Sequence, residues 1–331
     1  MLGNEVQDVK RKVNAILKIL QESKEPLGAR VIAQQLKLHG VELGERAVRY
    51  HLKLTDERGL TTLIGRDGRL ITESGNKELK SALVRDKVGF AISRIELLAF
   101  RTNFDPNRRS GLVPVNISYF PEQKFSDALD IMKPVFARGL CVSDLVTTAK
   151  GGDKIGDTTV PEGKIALGTV CSIVINGTLL KAGIPMDSRF GGIIEMKNNK
   201  PVRFVEIINY AGSSMDPSEI FIRARMTSVL EVVKKGEGKL LANYRETPAI
   251  CRPIVEEVVA QMKNVGIGGV LMLGNASDPV CEIPVELNRI GIVLLGGLNP
   301  VAAAEEAGIE ADSHAMSTLV NFQTLKKIGE L

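Results

Sequence analysis

The chain has 331 residues, 44% hydrophobic and 25% charged, the composition of a globular protein of about two domains. Its four cysteines (Cys141, Cys171, Cys251, Cys281) form no C-x-x-C pair, and its three histidines (His39, His51, His314) leave residues 52–313 without an imidazole. A zinc ribbon, a thioredoxin-type site, a histidine-based triad and a zincin are thereby excluded there. The net charge of +4 is unevenly placed: residues 1–85 carry sixteen Lys and Arg against eleven Asp and Glu, and the rest carries 27 against 28. The basic surplus in the first quarter points to an anionic partner at that end.

Residues 5–22 predict an amphipathic helix, with Val6, Val9, Val13, Ile16, Leu17 and Leu20 at helical steps. Pro26 breaks it. A second helix is expected over 28–38, a turn over 39–44 and a third helix over 45–57, closed by Gly59. Strands over 60–64 and 69–72 flank the hairpin turn Gly65-Arg66-Asp67-Gly68. Three short helices and a hairpin are the plan of a winged helix-turn-helix, expected to occupy residues 1–80. Its third helix carries Arg46, Arg49, Tyr50, His51 and Lys53, and Arg66 and Arg69 flank the hairpin tip. Arginine bridges guanine O6 and N7, and both basic residue types neutralise phosphates, so these seven are the expected DNA-binding residues. A winged helix used for protein contacts is the alternative.

Residues 76–88 are expected to join the modules, and 86–331 to form an effector-sensing and oligomerisation domain. Helices are predicted over 93–101, 125–136, 216–233, 252–264 and from Asn299-Pro300 to Gly308. Strands are predicted over 111–119, 140–148, 165–175, 179–184, 190–196, 202–208, 267–273, 280–284 and 289–295. The fold class is therefore α+β, a winged helix followed by a larger mixed α/β regulatory domain. Asp216-Pro217-Ser218-Glu219 has the residues of a helix start. A repeat is visible between Asn176…Pro185…Arg189-Phe190-Gly191 and Asn275…Pro284…Arg289-Ile290-Gly291. It is either the mark of two pseudo-repeated helix-plus-sheet lobes or a chance likeness of hairpin patterns.

Two lobes leave a cleft, and a cleft binds small molecules. Thr169, Cys171, Lys181, Arg189, Arg223 and Asn299 are the candidate effector residues. Cations and the open helix N-terminus after Gly296-Gly297 suit a carboxylate or phosphate. Neither a catalytic residue nor a metal site is expected. Gly266-Ile267-Gly268-Gly269 follows a helix and opens a strand, the reverse of a dinucleotide fingerprint, and no phosphate loop occurs. No signal segment opens the chain, and no uncharged run reaches membrane-span length, so a cytoplasmic protein without a membrane partner is expected.

With these residues in view, the chain resembles the NrpR family of archaeal nitrogen-regulatory repressors. The resemblance is carried by residues 88–96 (Val-Gly-Phe-Ala-Ile-Ser-Arg-Ile-Glu), Pro161-Glu162-Gly163-Lys164 and Gly168-Thr169-Val170-Cys171-Ser172. It continues through Asn176-Gly177, residues 180–185, Ser188-Arg189-Phe190-Gly191-Gly192, Asp216-Pro217, residues 219–223 and Gly296-Gly297-Leu298-Asn299-Pro300. It implies a repressor of nitrogen-assimilation genes that binds operator DNA as a homodimer or higher oligomer. It also implies 2-oxoglutarate as inducer, with no other cofactor. Some members carry two regulatory domains; this chain has room for one, which leaves open a second family subunit as partner. The competing reading is a metabolic enzyme with a DNA-binding appendage, against which the missing catalytic groups count.

Overall fold

The computed structural model describes all residues except 1, 24, 39, 40, 42 and 82–89, with backbone alone for 2–8, 38, 80 and 81. The turn expected at 39–44 and the connecting stretch beyond residue 81 thus lie largely outside the described residues. Two units meet between Ser93 and Arg94.

The first unit runs α1 (Leu2–Glu22), α2 (Ala29–Leu38), α3 (Glu45–Glu57), β1 (Thr61–Ile64), β2 (Gly68–Ile71) and α4 (Glu73–Ser81). Ile16, Ile19 and Leu20 of α1, Ile32 and Leu36 of α2, and Val48 and Leu52 of α3 form one buried cluster. The burial of one stripe from each helix fixes their mutual packing. β1 and β2 pair antiparallel from Thr61↔Ile71 to Ile64↔Gly68. Leu27 adds a short third strand through two backbone hydrogen bonds of 3.0 Å with Arg69. Gly68 makes that approach possible: at φ +129, a Cβ there would lie 2.2 Å from the Leu27 carbonyl carbon. Residues 73–81 belong to a helix, not to a connecting segment.

Helix α5 (Phe90–Arg101) crosses from one unit into the next. The second unit continues β3 (Leu112–Pro121), α6 (Phe125–Ala137), β4 (Leu145–Lys150), the small hairpin β5 (Lys154–Ile155) and β6 (Thr158–Thr159), and β7 (Lys164–Val170). Next come α7 (Ile173–Lys181), β8 (Asp187–Lys197), β9 (Lys200–Asn209), α8 (Pro217–Arg223), α9 (Val229–Lys235) and β10 (Gly238–Pro248). The chain ends with α10 (Arg252–Asn264), β11 (Val270–Leu273), β12 (Arg289–Leu295), α11 (Asn299–Glu306), β13 (Asp312–Asn321) and β14 (Lys326–Lys327). Two five-stranded antiparallel sheets result, in the orders β13-β3-β7-β4-β14 and β11-β12-β10-β8-β9.

The unit is built from two lobes with the same plan. β3, α6, β4, β7, α7 correspond to β10, α10, β11, β12, α11. The correspondence extends to hydrogen bonds. α6 and α10 close on Gly139 and Gly266, and α7 and α11 on Gly183 and Gly308, all four at positive φ. After each glycine the next amide bonds back five residues, Leu140 to Val135, Ile267 to Met262, Ile184 to Leu179 and Ile309 to Ala304. The strand after the last helix of each lobe then joins the other lobe's sheet. β8 pairs with β10, and β13 pairs with β3. Each sheet is thus completed by its neighbour.

The repeat occurs in a register different from the expected one. Residues 175–178 are helical, whereas 274–277 form a turn between β11 and β12. The matching blocks are Ala182-Gly183-Ile184-Pro185-Met186-Asp187-Ser188 and Ala307-Gly308-Ile309-Glu310-Ala311-Asp312-Ser313, each running from a helix cap into a swapped strand.

Three further expectations are corrected. The strands expected over 165–175 and 179–184 are β7, ending at Val170, and α7. Residues 173–179 are all buried, so the helix shows no amphipathic period. The helix expected over 216–233 breaks into α8 and α9, with Arg225 at φ 53. The Glu306 carboxylate starts the second helix by accepting hydrogen bonds from Val229 N (2.7 Å) and Leu230 N (3.0 Å). The strand expected over 280–284 is a tight turn closed by a single bridge between Val280 and Ile283.

Candidate functional site

On α3, Val48, His51, Leu52 and Thr55 are buried, and Arg46, Arg49, Tyr50 and Lys53 are exposed. The exposed four lie at positions 46, 49, 50 and 53, the three- and four-residue steps of one helical face. Glu45 pairs with Arg49, and Glu57 stands 3.9 Å from Lys53. Exposed pairs of this kind are weak and exchange readily for a phosphate. Arg46, and Arg66 at the hairpin turn, have no side-chain partner among the described residues. Tyr50 is 60% exposed.

Two expected DNA contacts are corrected. His51 is 5% exposed and lies edge-on to Tyr50 in the unit's interior. Arg69 is half-buried, and its Nε donates to Asp56 Oδ2 at 2.7 Å. Asp56 also accepts from Thr61 Oγ1 at 2.6 Å. Arg69 therefore ties the hairpin to the end of α3, and its charge is already matched.

In the second unit, a cavity lies between the lobes. Its lining includes equivalent pairs, namely Asn116 of β3 with Asn243 of β10, and Ser172-Ile173 with Gly297-Leu298 at the N-termini of α7 and α11. Tyr210, Asp216, Arg245, Cys171 and Met316 complete most of the wall. The buried side chains are held by a network. Tyr210 OH donates to Asn243 Oδ1 (2.5 Å), whose amide donates to Ser172 Oγ (3.2 Å). Asn116 receives the Met316 amide at 3.0 Å and donates to Thr169 Oγ1 at 3.3 Å. Gly297 is required by close approach: a Cβ would stand 2.4 Å from Val170 O and 2.7 Å from Asn116 Nδ2.

Arg245 dominates the electrostatics. It is 1% exposed, and its hydrogen bonds to Asn176 Oδ1 and Tyr244 O are long, 3.4 and 3.2 Å. Its guanidinium lies 5.0 Å from the Tyr210 ring. Both oxygens are neutral, so neither balances the guanidinium, and two helix N-termini face the same cavity. Asp216 is the opposing charge. It caps α8 by accepting from Ser218 N at 2.8 Å, and burial pushes its carboxyl above the usual range despite that bond and Arg245. Burial likewise pushes the Cys171 thiol up to about 12. The cavity is small, about 20 Å³, room for one water.

Of the six expected effector residues, Cys171 alone lines this cavity; Thr169 stands behind Asn116. Lys181 is at the far end of α7, donating to Phe100 O at 3.0 Å. Arg189 is on the surface, 3.1 Å from Asp187 and 3.0 Å from Glu286. Arg223 lies in a separate depression with Glu219, Arg225, Glu305 and Glu310. Asn299 is fully buried and bolts α11 to β10, accepting from Leu241 N (2.8 Å) and donating to Leu140 O and Leu241 O. Arg245, Asn116, Asn243 and Tyr210 escaped sequence reasoning because strand pairing alone brings them together. The equivalence of Asn116 and Asn243, each five residues before the proline that ends its strand, was the available signal.

A winged-helix unit joined to a larger two-lobed unit with a polar cavity between its lobes has the architecture of a transcriptional regulator. The comparisons with known proteins agree with this division. Residues 88–327 match the NrpR regulatory domains NRD1 and 2, and residues 14–79 match the ribonuclease R winged-helix domain. The chain is 41% identical to the global nitrogen regulator NrpRI of Methanosarcina mazei over 97% of its own length and 98% of that protein's. It is 34% identical to the global nitrogen regulator NrpR of Methanocaldococcus jannaschii and 33% to that of Methanococcus maripaludis, spanning 56% and 54% of those longer proteins. A crystal structure of a nitrogen repressor-like protein from Methanococcus jannaschii superposes with a TM-score of 0.62 at 28% identity, covering 73% of this chain and 99% of that one. This chain belongs to the NrpR family.

Proposed function

We propose that the protein is a transcriptional repressor of nitrogen-assimilation genes that grips operator DNA through α3 and the β1–β2 wing. The observation that carries this reading is the exposed face Arg46, Arg49, Tyr50 and Lys53 on a helix whose opposite face is buried. A helix presenting arginine and lysine at these steps fits the major groove, and Arg66 fits the backbone beside it. A homodimer or higher homo-oligomer, alone or with a second family subunit, would read half-sites about 34 Å apart or a multiple of it.

The effector in this reading is 2-oxoglutarate, taken into the interlobe cavity. Its two carboxylates match the Arg245 guanidinium and the paired helix N-termini, and Asn116 and Asn243 offer amide donors. A cavity of about 20 Å³ cannot hold a dicarboxylate unchanged, so binding demands a shift of its walls. A ligand that binds the shifted form better lowers the population that holds DNA. Turnover is disfavoured, because the Cys171 thiol, held protonated by burial, faces no histidine in the lining. Anisotropy of labelled operator DNA with the full chain, titrated with and without 2-oxoglutarate, tests both parts. DNA binding that is specific and weakens with ligand is expected; a chain that binds no DNA overturns the repressor reading.

A further inference from the structure

The two swapped strands border the cavity differently. β8 gains one residue against β10, Arg189. β13 gains two against β3: His314 faces Ile117 and Thr318 faces Val115, so residues 315–317 stand opposite Asn116 alone. This longer arch brings Ala315 and Met316 into the cavity lining. Met316 is held at φ 53, the left-handed region that a non-glycine residue enters at a cost.

Side chains from three elements take four backbone groups of the arch. Ala315 N donates to Glu219 Oε1 of α8 at 2.8 Å, and Met316 N to Asn116 Oδ1 of β3 at 3.0 Å. Arg94 of α5 donates from Nε to Met316 O at 3.0 Å and from Nη2 to Ser317 O at 2.6 Å. Most of the other walls are central strands and helix N-termini, fixed by their own ladders. The arch thus combines contact with the cavity, a strained backbone and attachment through side chains that can let go. Its two bonds to Arg94 tie it to α5.

We infer that residues 315–317 are the movable wall of the interlobe cavity, and that Arg94 is a positioning residue that passes their displacement to α5. An anion entering beside Met316 pushes the arch outward, relieves its left-handed residue and breaks the two Arg94 bonds. This rests on the cavity being the effector site, as proposed above.

The test uses the full chain, 2-oxoglutarate as probe, calorimetry for ligand binding and anisotropy of operator DNA for release. The ratio of DNA dissociation constants with and without ligand measures the coupling. Arg94→Gln is expected to bind 2-oxoglutarate at least as tightly as the wild type while that ratio falls toward one; Arg94→Lys retains part of it. Amide exchange in residues 312–321 should quicken on ligand addition in the wild type. Met316→Gly, which occupies left-handed backbone at no cost, should hold the arch closed and weaken ligand binding several-fold. Wild-type coupling in Arg94→Gln, unchanged exchange in 312–321 during DNA release, or undiminished ligand binding by Met316→Gly overturns the inference and leaves the effector reading standing. A wild-type chain that binds no 2-oxoglutarate overturns both.

Discussion

Asn116 and Asn243 face one cavity from equivalent places on two sheets, yet their carboxamides serve different partners. Asn116 accepts from the Met316 amide, and Asn243 from the Tyr210 hydroxyl. The shared position follows from the repeat, and the different partners from the unequal strands that close each side. Removing either amide should therefore be felt on one side of the cavity only. Asn243→Ala leaves the buried Tyr210 hydroxyl without its acceptor, at a cost of about 1–3 kcal/mol in denaturant unfolding.

Substitutions on α3 should separate DNA contact from folding. Arg46→Ala is expected to weaken operator binding by about 1–3 kcal/mol if it reads a base, with the melting temperature unchanged. His51→Ala should instead lower the melting temperature, because it empties a buried site. Anisotropy and thermal unfolding measured on the same two variants check the assignment.

Asn299 should behave as a structural residue. Replacing it with alanine removes three hydrogen bonds and strands the Leu241 amide and the Leu140 carbonyl, while the Leu241 carbonyl keeps the Gly296 amide. A loss of about 3 kcal/mol is expected in the unfolding of the regulatory unit. Lys181→Ala and Arg189→Ala, both outside the cavity, should leave the affinity for 2-oxoglutarate unchanged by calorimetry.

The buried carboxyls set a pH dependence. Burial is the largest cause raising Asp216 and Glu219, opposed by hydrogen bonds from Ser218 and Ala315 respectively. A carboxyl raised on folding holds its proton more tightly in the folded state. Its stabilising contribution is complete below the unfolded value of about 4 and is lost as pH rises through the raised folded value. The urea midpoint should show this decline, and Asp216→Asn, which can still cap α8, should reduce it.

The exchanged strands should make the regulatory unit unfold as one. Since β8 completes the second lobe's sheet and β13 the first, neither lobe can be cut free without opening a sheet edge. Coincident unfolding by near-UV and far-UV circular dichroism is expected of a fragment carrying residues 94–331. Two separate transitions would contradict it.

The amphipathic stripes of α1 to α3, the Gly65–Gly68 turn and the proline-opened helices were legible in the sequence, because local chemistry and one-sided burial leave periodic marks. α10 and β12 fall at the residues expected for them, Arg252–Asn264 and Arg289–Leu295. α7 did not, since burial on all sides erases the period that separates a helix from a strand. The cavity was beyond reach for a related reason. Arg245 and Asn243 belong to one strand, Asn116 and Met316 to two others far apart in the chain, and only the sheet register brings them together. By itself the sequence determined a basic winged helix, a larger mixed α/β unit and a family. The tertiary structure decided which polar residues are buried together and which, like Arg189 and Lys181, stay on the surface, because burial and pairing depend on contacts between distant segments that no local pattern records.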